Sequence, residues 1–348
     1  MTVRGLQRVR LAISMGDPAG IGPEVALKAL LARRRLRTIE PLLVGDPEVW
    51  RATARRLGLP IAFGTWPDDA RRGRLPVVTT SDLSAAQWRP GPARTRAAAR
   101  ACGEAAYQAI LGAARLVQNG VADGMVTAPI SKAHVVAAGH DFPGHTELLA
   151  QLAGNVPVRM MMAGPQLRVV LVTTHMALAA VPRRLTADAI LETIRITVAG
   201  LRDCFGLSAP RVAVAGLNPH AGEDGLFGDE ERRVIAPAVR AARRRGLDVQ
   251  GPFAADGLFA QAAGGAYDAV VCMYHDQGLG PFKLLHFADG VNITLGLPFV
   301  RTSPDHGTAF DIAGTGRADP SSMIAALALA AAAARHRSAP RPENAEAR

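Results

Sequence analysis

An α/β fold is predicted for this chain by three features of its sequence. Short apolar runs alternate with amphipathic stretches of helical period: residues 10–14 and 41–44 read as strands, 23–31 and 47–57 as helices. Several runs break at once into polar residues and glycine, as a strand does when it delivers its last side chains to a crevice. The chain is also long enough, at 348 residues, for two well-buried cores or one large one, and its 49% hydrophobic and 20% charged content is that of an ordinary globular protein.

The first strand runs into Gly16-Asp17-Pro18-Ala19-Gly20-Ile21-Gly22-Pro23-Glu24. Pro23 suits the first turn of the following helix and Glu24 complements its dipole. This turn matches neither G-x-G-x-x-G nor Walker A, so it reads as a tight turn or as an anion site. Residues 64–92 are irregular, with short strands, and 95–118 form a long helix whose alanines suit close approach of another helix. The strand at 124–127 and a short helix lead to Phe142-Pro143-Gly144-His145-Thr146-Glu147, before a helix at 147–153. His145 and Thr146 at that N-terminus suit a phosphate or carboxylate; simple capping by Thr146 is the alternative. Strands at 158–163 and 167–173 pair as a hairpin through Gly164-Pro165. A helix at 186–205, a strand at 211–217, a helix at 230–245 and a strand at 249–252 follow, with another helix starting near Asp256. Strands at 270–273 and 290–295, then Arg301-Thr302-Ser303, precede a closing helix at 321–334 and a frayed tail at 336–348. Neither an internal repeat nor a linker is apparent.

Three of the strands lead directly to histidine: His175, His220 in Asn218-Pro219-His220, and His275 in Tyr274-His275-Asp276-Gln277-Gly278. Imidazoles converging from neighbouring strand ends, with a coordination position left open, are how a catalytic divalent metal is held. Each one taken singly is also compatible with an ordinary strand end. The formal charge of +10 comes almost wholly from arginine, in short clusters such as Arg33-Arg34-Arg35 that read as solvated helix faces, and no nucleic-acid-binding signature accompanies it. The three lysines, Lys28, Lys132 and Lys283, stand out against that bias as candidates for sites needing a compact ammonium. No run reaches membrane-spanning length, no signal-peptide core precedes the first strand, and Cys102, Cys204 and Cys272 lack metal or disulfide spacing. A cytoplasmic chain is expected.

Together these stretches, with Pro143-Gly144-His145-Thr146-Glu147, Thr173-Thr174-His175, Gly216-Leu217-Asn218-Pro219-His220-Ala221-Gly222-Glu223, Gly290-Val291-Asn292-Ile293-Thr294 and Arg301-Thr302-Ser303 to His306-Gly307-Thr308, closely resemble the 4-hydroxythreonine-4-phosphate dehydrogenase family of pyridoxal phosphate biosynthesis. The resemblance implies two α/β/α domains around a cleft, of the isocitrate and isopropylmalate dehydrogenase type and not a Rossmann fold. The domains are expected at about 1–130 plus 305–348 and 131–304. It implies His175, His220 and His275 as metal ligands, and His145, Thr146, Lys283, Asn292 and Arg301 as contacts to a small phosphorylated substrate, with Asp256 close by. Asp256 and Lys283 are the catalytic candidates, though Asp276 or a metal-bound water would also serve as proton acceptor. Gly307, Thr308 and Asp311 fall in a segment resembling a nucleotide-binding loop. The implied partners are NAD or NADP, a divalent cation (zinc, cobalt, manganese or magnesium) and a second subunit, the metal site drawing on both. Sister activities on sugar acids or a terephthalate dihydrodiol share these motifs.

Overall fold

The computed structural model describes residues 8–32, 36, 38–68, 73–84, 86–142 and 144–338. The arginine cluster at 33–35, Pro143 and the tail beyond 338 lie outside them. Twelve strands form one sheet: β1 (Val9–Ser14), β2 (Ile39–Gly45), β3 (Ala62–Thr65), β4 (Arg74–Thr79), β5 (Gly124–Thr127), β6 (Arg159–Ala163), β7 (Arg168–Leu171), β8 (Val212–Ala215), β9 (Val249–Phe253), β10 (Ala269–Cys272), β11 (Val291–Leu295) and β12 (Val300–Pro304). Their order is β3-β4-β2-β1-β5-β12-β11-β6-β7-β10-β8-β9, unlike the 3-2-1-4-5-6 order of a Rossmann sheet.

Pairing is parallel except where β11 meets β12 and β6, and where β6 meets β7. Six strands on one side come from residues 9–127 and 300–304, and six on the other from 159–295. Strand β12 joins the two sets, pairing with β5 on one side and β11 on the other. Strands β8 and β10 are fully buried and read as continuous apolar runs, as strands covered on both faces do.

Helices α1 (Gly22–Leu31), α2 (Pro47–Arg56), α7 (Ala187–Phe205), α8 (Ala236–Arg243) and α11 (Ser321–Ser338) pack in succession on one face. The other face carries α3 (Arg96–Gln118), α4 (Lys132–Ala137) and α5 (His145–Leu152) over the first half, and α9 (Ala255–Ala263) and α10 (His275–His286) over the second. A short helix, α6 (Val181–Arg184), precedes α7. In α11 the alanines at 326, 330, 331, 333 and 334 are buried, which lets the helix lie close over β12; Thr302 Oγ1 donates to the Ala326 carbonyl at 2.9 Å.

Three elements differ from expectation. Arg301-Thr302-Ser303 form β12, a fully buried central strand whose polar side chains disguise it. The stretch from His275 is helical despite Gly278, Gly280 and Pro281; a Cβ at Gly278 would stand 3.0 Å from Cys272 Sγ and Leu171 Cδ2, so glycine sets how closely α10 meets the sheet. The helix expected at 230–245 opens with a wide π turn at Glu231–Ile235 before α8.

Candidate active site

The glycine-rich turn after β1 is a packing device. Gly16 has φ +71°, and a Cβ there would lie 2.4 Å from the Pro129 carbonyl, so both its conformation and its contact require glycine. Asp17, fully buried, accepts from the Ala19 amide and pairs with His134 Nδ1 at 2.7 Å. The Ile21 amide donates to the Thr308 carbonyl at 2.9 Å. Internal partners occupy these groups, which favours the tight-turn reading over an anion site. Lys28 is structural as well: its ammonium bonds Glu24 and the carbonyls of Gly316 and Ala318, tying down the loop after β12.

Between the sheet halves lies a cleft of about 860 Å³, the size of a small-molecule site. Arg301 forms part of its floor. The side chain is 2% exposed, with Nε and Nη2 donating to Thr127 Oγ1 and Nη1 to Thr294 Oγ1. Among the described residues no carboxylate is ion-paired with it, and burial pushes its pKa down to about 10. A buried guanidinium supported by neutral hydroxyls, with Glu147 acting on it through space but not paired to it, is a receptor for an anion.

Other lining groups agree. His145 and Thr146 occupy the first turn of α5, whose N-terminus no side chain caps. His145 Nε2 is cut off from solvent without a partner, and burial, then Arg301 and Lys132, hold the imidazole well below its ordinary pKa of 6.5. Asn292, on β11, presents a buried and unpartnered Oδ1. Lys132, distinguished in the sequence by the scarcity of lysine, also lines the cleft. Lys283 reaches it from α10 and pairs with Asp305 Oδ2 at 3.3 Å. Nothing in the sequence separates Asp305 from other loop acids. Thr127 and Thr294 were equally illegible, because hydroxyls that support an arginine leave no local pattern.

His175, His220 and His275 follow β7, β8 and β10, three strands adjacent and parallel in the sheet. His175 and His275 line the cleft with ring centroids 5.5 Å apart. Two imidazoles on one tetrahedral cation put their centroids roughly 5 Å apart, so this pair fits a shared divalent ion. Burial, then Lys132 and His275, lower the His175 pKa, which keeps its lone pair free for a metal. His275 Nδ1 meets Asp276 Oδ1 at 2.7 Å, the carboxylate support a ligating histidine uses. His220 is exposed and outside the cleft lining; among the described residues no group of three His, Cys, Asp or Glu side chains is close enough to hold a metal.

His220 opens an unusual segment. Residues 220–224 all have positive φ, from 39° to 84°, and four of the five are not glycine. Each such residue costs on the order of 1 kcal/mol. Glu231, 5% exposed at the start of the π turn, holds the segment: its carboxylate accepts from the amides of Leu217 and Asn218 at 2.7 and 2.8 Å and from Asn218 Nδ2 at 2.9 Å. Gly222 (φ +84°) leaves the space, since a Cβ there would come 2.7 Å from Glu231 Oε2.

The remaining sequence candidates divide. Asp256 lies in the first turn of α9, exposed, accepting from the Gly257 amide and outside the cleft. Gly307 is at the cleft edge, beside a His306 whose Nε2 is buried and unpartnered, whereas Thr308 and Asp311 do not line the cleft. His306 and Gly307 are thus the residues of this loop that face the cleft.

Fold and cleft together define an α/β enzyme with a cationic small-molecule site. The profile of the family described as "Pyridoxal phosphate biosynthetic protein PdxA" matches residues 37–330. A relative from Geobacter metallireducens named 4-hydroxythreonine-4-phosphate dehydrogenase is 52% identical over 94% of this chain and 96% of its own length. Another of that name, from Xanthobacter autotrophicus, is 48% identical over 92% of each. The crystal structure of 4-hydroxythreonine-4-phosphate dehydrogenase from Klebsiella pneumoniae superposes with a TM-score of 0.82 at 42% identity, covering 93% of this chain and 98% of that one. A terephthalate 1,2-cis-dihydrodiol dehydrogenase from Burkholderia xenovorans follows at TM-score 0.65 and 32% identity, covering 94% and 98%. The chain belongs to the PdxA family, and it is an oxidoreductase acting on a CH–OH group.

Proposed function

We propose that the chain oxidises 4-hydroxythreonine 4-phosphate to 2-amino-3-oxo-4-phosphooxybutanoate, which loses carbon dioxide to give 3-amino-2-oxopropyl phosphate, in pyridoxal phosphate biosynthesis. NAD or NADP and a divalent cation are the cofactors. The buried Arg301, supported by two threonine hydroxyls and short of an anion, carries this reading.

The phosphate binds where Arg301 and the open N-terminus of α5 converge. Neutral His145 adds a donor without adding charge, and Thr146 and Asn292 complete its polar contacts. Lys283 attracts the remaining negative charge of the substrate from α10. His175 and His275 hold the cation, which when bound supplies a Lewis acid toward the reacting oxygen, while the nucleotide supplies the hydride acceptor. Gly307, Thr308 and Asp311 belong to the nucleotide loop in this reading, resting on the 16–22 turn.

A second copy completes the metal site. Met176 and Leu178, Leu226 and Phe227, and Leu284, Leu285 and Phe287 are exposed, and each group follows one of the three histidine-bearing strands. Apolar surface clustered in that way fits the interface of a homodimer, which would bring His220 and Asp256 of one subunit to the cleft of the other. The reaction belongs in the cytoplasm, where the buried thiols of Cys102, Cys204 and Cys272 stay reduced. No described helix is long and apolar enough to cross a membrane.

The test is nicotinamide absorbance with the purified protein, both nucleotides and metal added back to a stripped sample. Reduction with 4-hydroxythreonine 4-phosphate, lost on stripping and restored by the cation, is the expected result. Turnover of a dihydrodiol or a sugar acid phosphate alone would reassign the substrate.

A further inference from the structure

Resting on that reading, the reaction poses a proton question. Removing hydride from the carbinol carbon frees the hydroxyl proton, and the carbon that loses carbon dioxide must gain one. A group that stores the first proton and returns it lets both steps proceed with no net exchange with solvent. Such a group must be shielded and connected to a side chain that reaches the substrate.

Among the acids near the cleft, Asp305 meets these demands. Its side chain is 16% exposed, against 90% for Asp276, whose carboxylate is committed to His275. Glu147 is exposed, and Asp256 is exposed and outside the cleft. The Asp305 backbone is fixed: its amide donates to Ser322 Oγ at 3.0 Å, and that hydroxyl donates to the Gly290 carbonyl at 2.7 Å. The residue stands directly after β12 and two positions before Gly307, so it joins the substrate floor to the nucleotide loop. Its carboxylate meets Lys283 Nζ at 3.3 Å.

We propose that Asp305 is the proton store of this reaction, acting through Lys283. As hydride leaves for the nicotinamide nucleotide, the hydroxyl proton passes to the Lys283 nitrogen while a proton of that ammonium moves to Asp305. After the carbon–carboxylate bond breaks, its electron pair takes a proton back from Lys283, which is refilled from Asp305. One proton is borrowed and returned, and the two electrons remain on the nucleotide. Burial raises the Asp305 pKa above the ordinary 3.8, opposed by Lys283 and, more weakly, by His306 and His275. Lys132, Arg159, Arg301, Glu147 and Asp276 are the other charges lining the cleft. Because it works through Lys283, Asp305 is a positioning residue.

Two measurements test this. In Asp305→Asn, kcat should fall about 100-fold while KM for the phosphorylated substrate stays within threefold. The acid limb of the kcat profile should disappear, and Asp305→Glu should recover at least tenfold over Asn. Trace acetylation across a pH series then reads the pair without substrate, since with three lysines in the chain each adduct maps to one site. The midpoint for Lys283 should drop in the Asn variant, which removes its 3.3 Å carboxylate partner, with Lys28 unmoved. Unchanged kcat and acid limb, or a raised KM at constant kcat, would overturn the proposal. So would an unmoved Lys283 midpoint, even if wild-type protein reduced no nucleotide, an outcome that would separately refute the function proposed above. Should Asp305→Asn fail to fold by circular dichroism, the acid limb and labelling midpoint of Asp305→Glu decide alone, and no change in either overturns the idea.

Discussion

At the scale of single residues, Arg301 combines a functional gain with a structural cost. A buried cation without an anion lowers stability, so Arg301→Met should raise the melting temperature by a few degrees while raising the substrate KM by at least about 100-fold. Calorimetry with and without inorganic phosphate checks both signs: phosphate should stabilise the wild type and leave the variant unmoved. His145 gives a pH prediction. Its folded pKa lies below the ordinary 6.5, so in that window the unfolded chain binds more protons and stability is lost as pH falls below about 6.5. Replacing His145 with Asn should shrink the difference in urea midpoint between pH 8 and pH 5. Lysine scarcity did point to the cleft, since Lys132 and Lys283 line it, but Lys28 ties a loop down instead. Composition marks a residue as constrained without saying whether by ligand or by fold.

At the scale of elements, the left-handed segment at 220–224 sets local strain against a buried clamp. Ala221→Gly relieves one strained residue and should raise unfolding free energy by about 0.5–1 kcal/mol in urea titrations. Glu231→Ala strands three N–H donors and should cost roughly 2–4 kcal/mol, with divalent affinity weakened by tenfold or more if His220 is a ligand. Isothermal titration with zinc or manganese reads the second effect, and unaltered affinity would detach the turn from the metal. The apolar strands and the long helices were legible because period is a local property; Thr95 and Thr186 cap α3 and α7. Strand β12 and helix α10 were not, since β12 buries polar side chains and α10 contains Gly280 and Pro281 and uses Gly278 for close packing on the sheet.

Across the whole molecule, the three histidines were legible as strand ends, and adjacency of β7, β10 and β8 makes that pattern physical. That His220 lies exposed outside the cleft lined by His175 and His275 follows from no local pattern; only the family resemblance implied a site drawing on two subunits. Subunit mixing addresses it. If the site pairs His175 of one subunit with His220 of the other, inactive His175→Ala and His220→Ala proteins should regain roughly a quarter of wild-type activity after unfolding and refolding together, since half the dimers then carry one intact site. No recovery would place both rings in one subunit or remove His220 from the chemistry. The pairing of β11 with β12 bears on motion. Asn292 and Ser303, both lining the cleft, are register partners across it, so the floor of the site is also the seam of the sheet. Any widening or narrowing of the mouth has to flex that ladder like a leaf spring, which would carry Arg301 and the loop from Asp305 to Gly307 along together.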